Sequence, residues 1–140
     1  MADAEPDSNP VSLELATIGN CSFSALLDRS GRMVWCCLPR FDGDPVFSAL
    51  LAGNAPAEHG FYEIELDHLE RTEQHYRRNS AVLETRLYDK HGGAIKIVDF
   101  APRFHKSGRM YRPLMLVRRV SPLQGNPRVR VRLRPALRYG

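Results

Sequence analysis

The most constraining feature of this sequence is its division into many short apolar segments by turn residues. Glycine, proline, asparagine and aspartate interrupt these segments roughly every 8 to 12 residues, a spacing typical of antiparallel β-sandwiches and barrels. The candidate strands are residues 13–18, 22–28, 32–38, 46–51, 61–66, 72–78, 81–88, 94–100, 114–120 and 128–133. Residues 46–51 fit either a strand or a helical turn. The pattern predicts an all-β fold.

Two turns predict particular strand pairs. Residues 29–31, Arg-Ser-Gly, and residues 89–93, Asp-Lys-His-Gly-Gly, each separate two apolar segments, and the second is the clearer hairpin signal. A chain of 140 residues, 43% of them hydrophobic, fits one domain with a modest core. We expect an antiparallel β-sandwich over residues 13–140 after a disordered lead-in at residues 1–12. Trp35 lies in an apolar strand, and we expect it in the core.

The composition argues against several classes of protein. No apolar segment approaches the roughly 18 to 20 residues that cross a bilayer. The acidic N-terminus lacks the basic and apolar regions of a secretory signal. The 3 cysteines are an odd number, and no spacing of Cys and His completes a zinc site. We therefore expect a cytoplasmic protein with reduced, buried thiols, no membrane partner, no cofactor and no metal.

Charge is unevenly distributed between the two halves of the chain. Residues 1–70 contain 3 Lys and Arg against 12 Asp and Glu, whereas residues 71–140 contain 17 against 4. Two explanations are open. Either the chain binds an acidic partner, or acidic strands lie beside basic strands and pair with them or with the rest of a larger protein.

Arginine alternates with apolar residues in the last candidate strand. One face carries Val129, Val131 and Leu133. The other face carries Arg128, Arg130, Arg132 and Arg134. Four arginines in a row can bind phosphates, but sheets that bind nucleic acids interleave aromatic residues for stacking, and none is interleaved here. We therefore favour a solvated or carboxylate-paired face and expect no nucleic-acid partner.

A short repeat, Pro-Arg-Phe, occurs at residues 39–41 and again at residues 102–104, each time directly after a strand. Because proline removes a donor from the ladder, the Arg and Phe that follow can leave the sheet. Either the two loops form a shared surface at one end of the sandwich, or they are ordinary strand exits with a core Phe and a solvated Arg. The candidate residues for contact with a substrate or another domain are Arg40, Phe41, Asp42, Asp44, Arg103 and Phe104.

Arg40 and Asp42 are the strongest of these candidates. Arg40 offers a planar fork of donors suited to hydroxyl groups or a carboxylate. Asp42 offers acceptors, and Gly43 gives the backbone the freedom to place them. The alternative is that Arg40 and Asp42 pair with each other and brace the loop.

Catalytic constellations are scarce. The 5 histidines are scattered, and neither a Gly-x-Ser-x-Gly elbow nor a phosphate-binding glycine loop is present. Asp42, Asp44 and Asp99 make a carboxylate pair conceivable, of the kind that glycoside hydrolysis needs. Nothing distinguishes an acid from a base among them. We predict no catalytic residue in this chain and no enzymatic activity of the chain alone.

Several motifs together resemble a known family. The longest is the stretch from residue 35 to residue 47, Trp-Cys-Cys-Leu-Pro-Arg-Phe-Asp-Gly-Asp-Pro-Val-Phe. The others are Ile-Gly-Asn at 18–20, Tyr-Arg-Arg-Asn at 76–79, Asp-Phe-Ala-Pro-Arg-Phe at 99–104, Tyr-Arg-Pro at 111–113 and the ending at 133–140. From about residue 13 onward the chain resembles the N-terminal β-domain, or trehalase-like N-terminal domain, of bacterial glycoside hydrolase family 15. That family holds glucoamylases, glucodextranases and trehalases.

The resemblance implies a supersandwich-like β-domain that precedes an (α/α) barrel carrying two catalytic glutamates. The barrel segments are absent from this sequence, and the family's β-domain continues past the Tyr-Gly at 139–140, so we expect only the first part of the sandwich. The resemblance implies an accessory domain that packs on a barrel hydrolysing α-glucosidic bonds with inversion, with a loop at the active-site mouth. Two alternatives are a stand-alone carbohydrate- or polyanion-binding module and a module that completes a sheet with a partner chain.

Overall fold

The computed structural model describes residues 12–52 and 57–137, and nearly all of its regular structure is β-strand. The strands are β1 (Ala16–Gly19), β2 (Ser24–Leu27), β3 (Met33–Cys37), β4 (Pro45–Phe47), β5 (Phe61–Leu66), β6 (Leu69–Tyr76), β7 (Leu83–Asp89), β8 (Ala94–Phe100), β9 (Phe104–Lys106), β10 (Arg109–Tyr111), β11 (Val117–Gln124) and β12 (Val129–Arg134). A short 3-10 helix, Ala49–Ala52, follows β4. The predicted all-β fold is confirmed. Apart from Ser12, the expected lead-in lies outside the described residues.

Two antiparallel sheets make up the sandwich. The first has the strand order β1-β2-β3-β5-β12, with β4 also paired to β3, and the second has the order β11-β8-β7-β6. β9 and β10 form a separate two-stranded hairpin. The hairpins predicted at residues 29–31 and 89–93 are confirmed as β2–β3 and β7–β8. Across the two described ranges, no helix is long and apolar enough to cross a membrane.

The core lies between the two sheets and contains two apolar clusters. One cluster brings Ile18 and Leu27 of the first sheet against Leu83 of the second sheet. The other brings Ile64 of β5 against Ile97 of β8. Because side chains alternate across each strand, β1, β2, β3, β4, β5, β7 and β8 each contribute inward-facing residues to this layer.

A third cluster lies on the outer face of the first sheet. It contains Val34 and Phe61, which pack with Ala49 of the 3-10 helix. A register shift between β2 and β3 interrupts the strict alternation of β3, and Met33 and Cys36 both join the core between the sheets. Trp35 is only half-buried and is not among the core residues, so the expectation that it lies in the core is wrong.

Most strand boundaries differ by a few residues from the predicted ones, and the differences at β6 and β11 have clear physical reasons. β6 begins at Leu69 because Asp67 and His68 form a tight turn after β5, with His68 at a φ of 56°. β11 continues past Pro122, since this edge strand has a register shift there that accommodates the missing donor. The hairpin of β9 and β10 was not predicted at all.

One buried arginine, Arg118, joins the two sheets. Arg118 on β11 donates from Nε to Oδ1 of Asp99 over 2.7 Å and from Nη2 to Oδ2 over 3.0 Å. The same guanidinium donates to the carbonyl oxygens of Tyr62 on β5 and of Gly31 in the turn between β2 and β3. Burial raises the pKa of the Asp99 carboxyl, while the hydrogen bonds and charge of Arg118 act against that rise. Arg118 thus connects a carboxylate of one sheet to backbone groups of the other.

Candidate functional site

Residues 101–116 form an arm that leaves the second sheet after β8 and returns to it at β11. The arm contains the hairpin of β9 and β10. Ser107 and Gly108 make its turn, and both have positive φ, 52° and 73° respectively. Left-handed backbone at both central positions matches the twist of a two-residue hairpin, so Ser-Gly is the sequence signal for this element.

Apolar side chains cover much of the arm. The rings of Phe104 and Tyr111 stack across the hairpin with centroids 5.4 Å apart and planes 13° apart. The exposed large apolar residues of the arm are Phe104, Met110, Tyr111, Leu114 and Met115. Scattered apolar residues are normal on a surface, but a group of five within one short segment is a feature of binding surfaces.

Asn20 holds the base of the arm. Its side-chain nitrogen donates to the carbonyl oxygen of Pro102 over 3.1 Å and to that of Pro113 over 2.8 Å. Its side-chain oxygen accepts from the backbone amide of Ser22 over 3.1 Å. The residue is buried, so these bonds are shielded from competing water. Asn20 therefore fixes the two points at which the chain enters and leaves the hairpin.

A cleft of about 520 Å³ lies beside the base of the arm. Its lining residues are Gly19, Cys21, Ala81, Val82, Phe100, Ala101, Pro102, Arg103 and Phe104. Nη1 of Arg103 lies 3.4 Å from Sγ of Cys21, at the exposed surface. The cleft combines an apolar wall with one exposed cation, Arg103, which suits a contact with an apolar group that carries an acceptor.

The first Pro-Arg-Phe loop closes on itself. The amide of Leu38 donates to the carbonyl of Asp44 over 3.3 Å, and the amide of Gly43 donates to that of Arg40 over 2.9 Å. A Cβ atom at Gly43 would collide with the carbonyl of Leu38, so glycine is required there for close approach. Arg40 and Asp42 form an exposed ion pair with Nε and Oδ1 3.2 Å apart.

The six predicted contact residues separate into two groups. Arg103 and Phe104 line the cleft, whereas none of the residues of the first loop does. Phe41 is exposed, as is Phe104, so neither ring fills the core. Arg40 and Asp42 pair with each other as the alternative explanation requires. A role of the two loops in one shared surface stays a prediction.

The structure excludes Asp99 as a member of a catalytic carboxylate pair. Asp99 is fully buried and bound by Arg118 through both carboxylate oxygens, so it cannot reach a substrate or a water from outside. Within the described parts of the chain, no group of three His, Cys, Asp or Glu side chains could hold a metal ion. The thiol of Cys36 is buried. This burial, and to a smaller extent the charge of the nearby Cys37, raises the pKa of Cys36 to about 12.

Two of the four arginines on the face of β12, Arg130 and Arg132, pair with carboxylates. Nη2 of Arg132 lies 2.5 Å from Oε2 of Glu63 and 3.6 Å from Oε2 of Glu65. Nη1 of Arg130 lies 3.7 Å from Oε2 of Glu65. Acidic β5 therefore lies beside basic β12, which explains part of the charge asymmetry and supports the carboxylate-paired interpretation over a polyanion site.

Sequence reasoning missed Asn20 and the arm as a unit. Asn20 belongs to the quoted Ile-Gly-Asn motif, but its partners Pro102 and Pro113 lie 82 and 93 residues away in sequence. Ser107 and Gly108 were a usable turn signal. Every residue of β9 and β10 is exposed, so these strands lack the alternation of buried and exposed residues that reveals other strands.

The fold and the arm define an all-β domain whose exposed groups suit contact with another molecule. The family described as "Trehalase-like, N-terminal" matches residues 6–140. The chain therefore belongs to the trehalase-like N-terminal domain family, which indicates an accessory domain of a glycosidase-type enzyme. Neither the curated proteins nor the solved structures give a match to this chain.

Proposed function

We propose that this domain is the accessory N-terminal β-sandwich of a glucoamylase- or trehalase-like enzyme of glycoside hydrolase family 15. In this proposal its arm packs on the catalytic (α/α) barrel, and the barrel hydrolyses α-glucosidic bonds with inversion. The observation that carries the proposal is the exposed apolar surface of the arm, held in place by the buried Asn20, on a chain that belongs to this family of accessory domains.

The arm suits an interface for energetic reasons. Covering apolar surface is favourable by about 25 cal/mol per Å², and aromatic and methionine side chains are enriched in the centres of interfaces. Phe104 and Tyr111 are already stacked. Their association with a second surface therefore costs little rotamer entropy.

The first Pro-Arg-Phe loop is the second proposed contact. The Arg40–Asp42 pair is exposed, and surface ion pairs contribute only about 0 to 1 kcal/mol. The pair can therefore open at low cost, which frees Arg40 for a carboxylate or a sugar hydroxyl at the mouth of the barrel. Asp44 and Phe41 lie on the same loop.

No recognisable pair of catalytic carboxylates is found among the residues that the structure describes. Inverting hydrolysis needs an acid and a base roughly 6.5 to 9.5 Å apart on both sides of the bond. Asp99 is buried and bound by Arg118, and Asp42 forms an exposed ion pair with Arg40. We therefore propose that catalysis belongs to the barrel. The adjacent Cys36 and Cys37 are free thiols, which supports a cytoplasmic location.

The test is binding between this chain and a family 15 catalytic barrel produced as a separate polypeptide. Titration calorimetry is expected to show association, with Tyr111→Ser weakening the affinity about tenfold or more. Leu69→Ser, a change of another exposed apolar residue on β6, is the matched control and should leave the affinity unchanged. No association, or equal weakening by both variants, contradicts the proposal.

The isolated chain provides a second test. Incubated with trehalose, maltose or dextrin, it should release no glucose above the blank. Turnover that disappears in Asp42→Asn or Asp44→Asn would show that the chain carries its own catalytic site.

A further inference from the structure

The arm at residues 101–116 is basic as well as apolar. It contains 4 Lys and Arg residues and no Asp or Glu, a formal charge of +4. The four cations are Arg103, Lys106, Arg109 and Arg112, and all are exposed. Among the described residues, none of the four forms an ion pair with a carboxylate. The positive charge of the arm is therefore not neutralised within the described parts of the domain.

Two of these cations lie directly opposite each other. The register of the hairpin pairs Lys106 of β9 with Arg109 of β10, on the two sides of the Ser107–Gly108 turn. Like charges directly opposite each other on neighbouring strands are destabilising. The hairpin therefore keeps a repulsive pair at its tip, and an anion from outside the hairpin would relieve that repulsion.

The repulsive pair shares a face with the stacked rings. Alternate residues of a strand point to the same side, so Phe104 and Lys106 lie on one face of β9. Their partners in the register are Tyr111 and Arg109. One face of the hairpin thus combines two stacked rings, with centroids 5.4 Å apart, and two neighbouring cations.

Aromatic rings beside cations fit two kinds of partner. Single-stranded nucleic acids stack their bases on such rings, but here each ring already has one face covered by the other. The remaining exposed apolar residues of the arm, Met110, Leu114 and Met115, offer no flat surface for a base. Methionine, aromatic and arginine side chains together are typical of protein interfaces, so the composition of the arm favours a protein surface.

We propose that the protein surface that receives the arm is acidic: it has an apolar patch for Phe104 and Tyr111, and beside it a carboxylate that lies between Lys106 and Arg109. That carboxylate accepts hydrogen bonds from both cations and removes the repulsion between them. This inference rests on the proposed function, which gives the catalytic barrel as the partner of the arm, and it adds the chemistry of the contact.

The test compares the free chain with its complex with a separately produced family 15 catalytic barrel. Lys106→Glu places a carboxylate opposite Arg109, so it should slow amide exchange in β9 and β10 of the free chain. The same variant should weaken the affinity for the barrel about tenfold or more. The affinity of the native chain should also fall about tenfold as salt rises from about 0.05 M to about 0.5 M. A structural role of Lys106 alone does not predict a more protected arm that binds more weakly.

Lys90→Glu is the matched control, because it makes the same charge change at an exposed lysine in the turn between β7 and β8. It should change neither the affinity nor the exchange of the arm. Absence of any association at low salt overturns both the proposed function and this inference. Association that is independent of salt, or that the two variants weaken equally, overturns this inference alone.

Two further outcomes would assign the cations to another occupant and overturn the inference. One is tighter binding of the chain to a fluorescein-labelled oligothymidylate than to the barrel, lost in Lys106→Glu. The other concerns a chain extended through the rest of the β-domain, which should bind the barrel with the same salt dependence. Loss of that dependence would mean that the β-domain itself supplies the carboxylate.

Discussion

Two arginine–carboxylate pairs in this domain have the same chemistry and opposite surroundings. The Arg118–Asp99 pair is 2% and 0% exposed with Nε and Oδ1 2.7 Å apart, whereas the Arg40–Asp42 pair is 77% and 73% exposed with the corresponding atoms 3.2 Å apart. The buried pair lies on adjacent strands of the second sheet, and its arginine also bonds to backbone groups across the core, whereas the exposed pair lies within one loop. The difference shows that location decides the role: the first pair holds the sandwich together, and the second is available for contact.

The largest expected effect is loss of one partner of the buried pair. Arg118→Ala leaves the carboxylate of Asp99 buried without its cation and leaves the carbonyl groups of Tyr62 and Gly31 without a donor. The free energy of unfolding should fall by about 3 to 5 kcal/mol. Urea denaturation followed by circular dichroism measures this. Arg119→Ala, the exposed neighbour, should change little. A loss below about 1 kcal/mol for Arg118→Ala would mean that the buried pair stabilises the domain no more than an exposed surface pair does.

Asn20 tests whether the arm depends on buried hydrogen bonds in the same way. Asn20→Ala removes the donor to Pro102 and Pro113 and leaves both carbonyl oxygens unsatisfied. We expect a loss of about 1 to 3 kcal/mol in the free energy of unfolding, together with faster amide exchange in residues 101–116. Ser22→Ala, in the same turn, is the control. Unchanged exchange in the arm would mean that Asn20 stabilises the turn without positioning the arm.

Asp89 extends the comparison to a carboxylate that is held by backbone groups. The hydrogen bond from the amide of Gly93 lowers the pKa of Asp89 below its ordinary value of 3.8; burial opposes this, and the hydrogen bond from the amide of His91 lowers the pKa further. A lowered folded-state pKa contributes stability above the unfolded value, and that contribution is lost as pH falls through the folded value. The advantage of the native protein over Asp89→Asn should therefore be present at neutral pH and shrink below a pH of about 3.8. A pH-independent difference would contradict it.

The smallest effect is expected at the exposed pair. Arg40→Ala and Asp42→Ala should each change the free energy of unfolding within the range of about 0 to 1 kcal/mol that is typical of surface pairs. In a parent enzyme that contains this domain, both should lower kcat/KM if the loop reaches the active-site mouth. Values within twofold of the native enzyme would assign the loop a bracing role.

The sequence predicts the local part of this structure well. The hairpins at 29–31 and 89–93 follow from adjacent turn residues and apolar alternation. The exposed Arg40–Asp42 pair was one of two explanations open from the sequence, since the two residues are neighbours on one loop. These features depend on residues that are close in the chain, where spacing alone fixes which groups can meet.

The remaining features depend on distant residues. Arg118 meets Asp99 on a neighbouring strand and also Gly31, 87 residues away in the chain. Neither charge pattern nor spacing specifies that contact. The half-buried position of Trp35 depends on how β3 pairs with β2, where a register shift breaks the alternation expected of a regular strand. The arm was missed because its strands are exposed on both faces.

The most direct measurement of the central claim is hydrogen exchange of this chain with and without a family 15 catalytic barrel. The account predicts slower exchange in the arm, above all in β9, β10 and residues 112–116, and unchanged exchange in β7, which lies inside the second sheet. Protection confined to other surfaces, or no protection at a barrel concentration that saturates binding, would contradict the assignment of the arm as the contact surface.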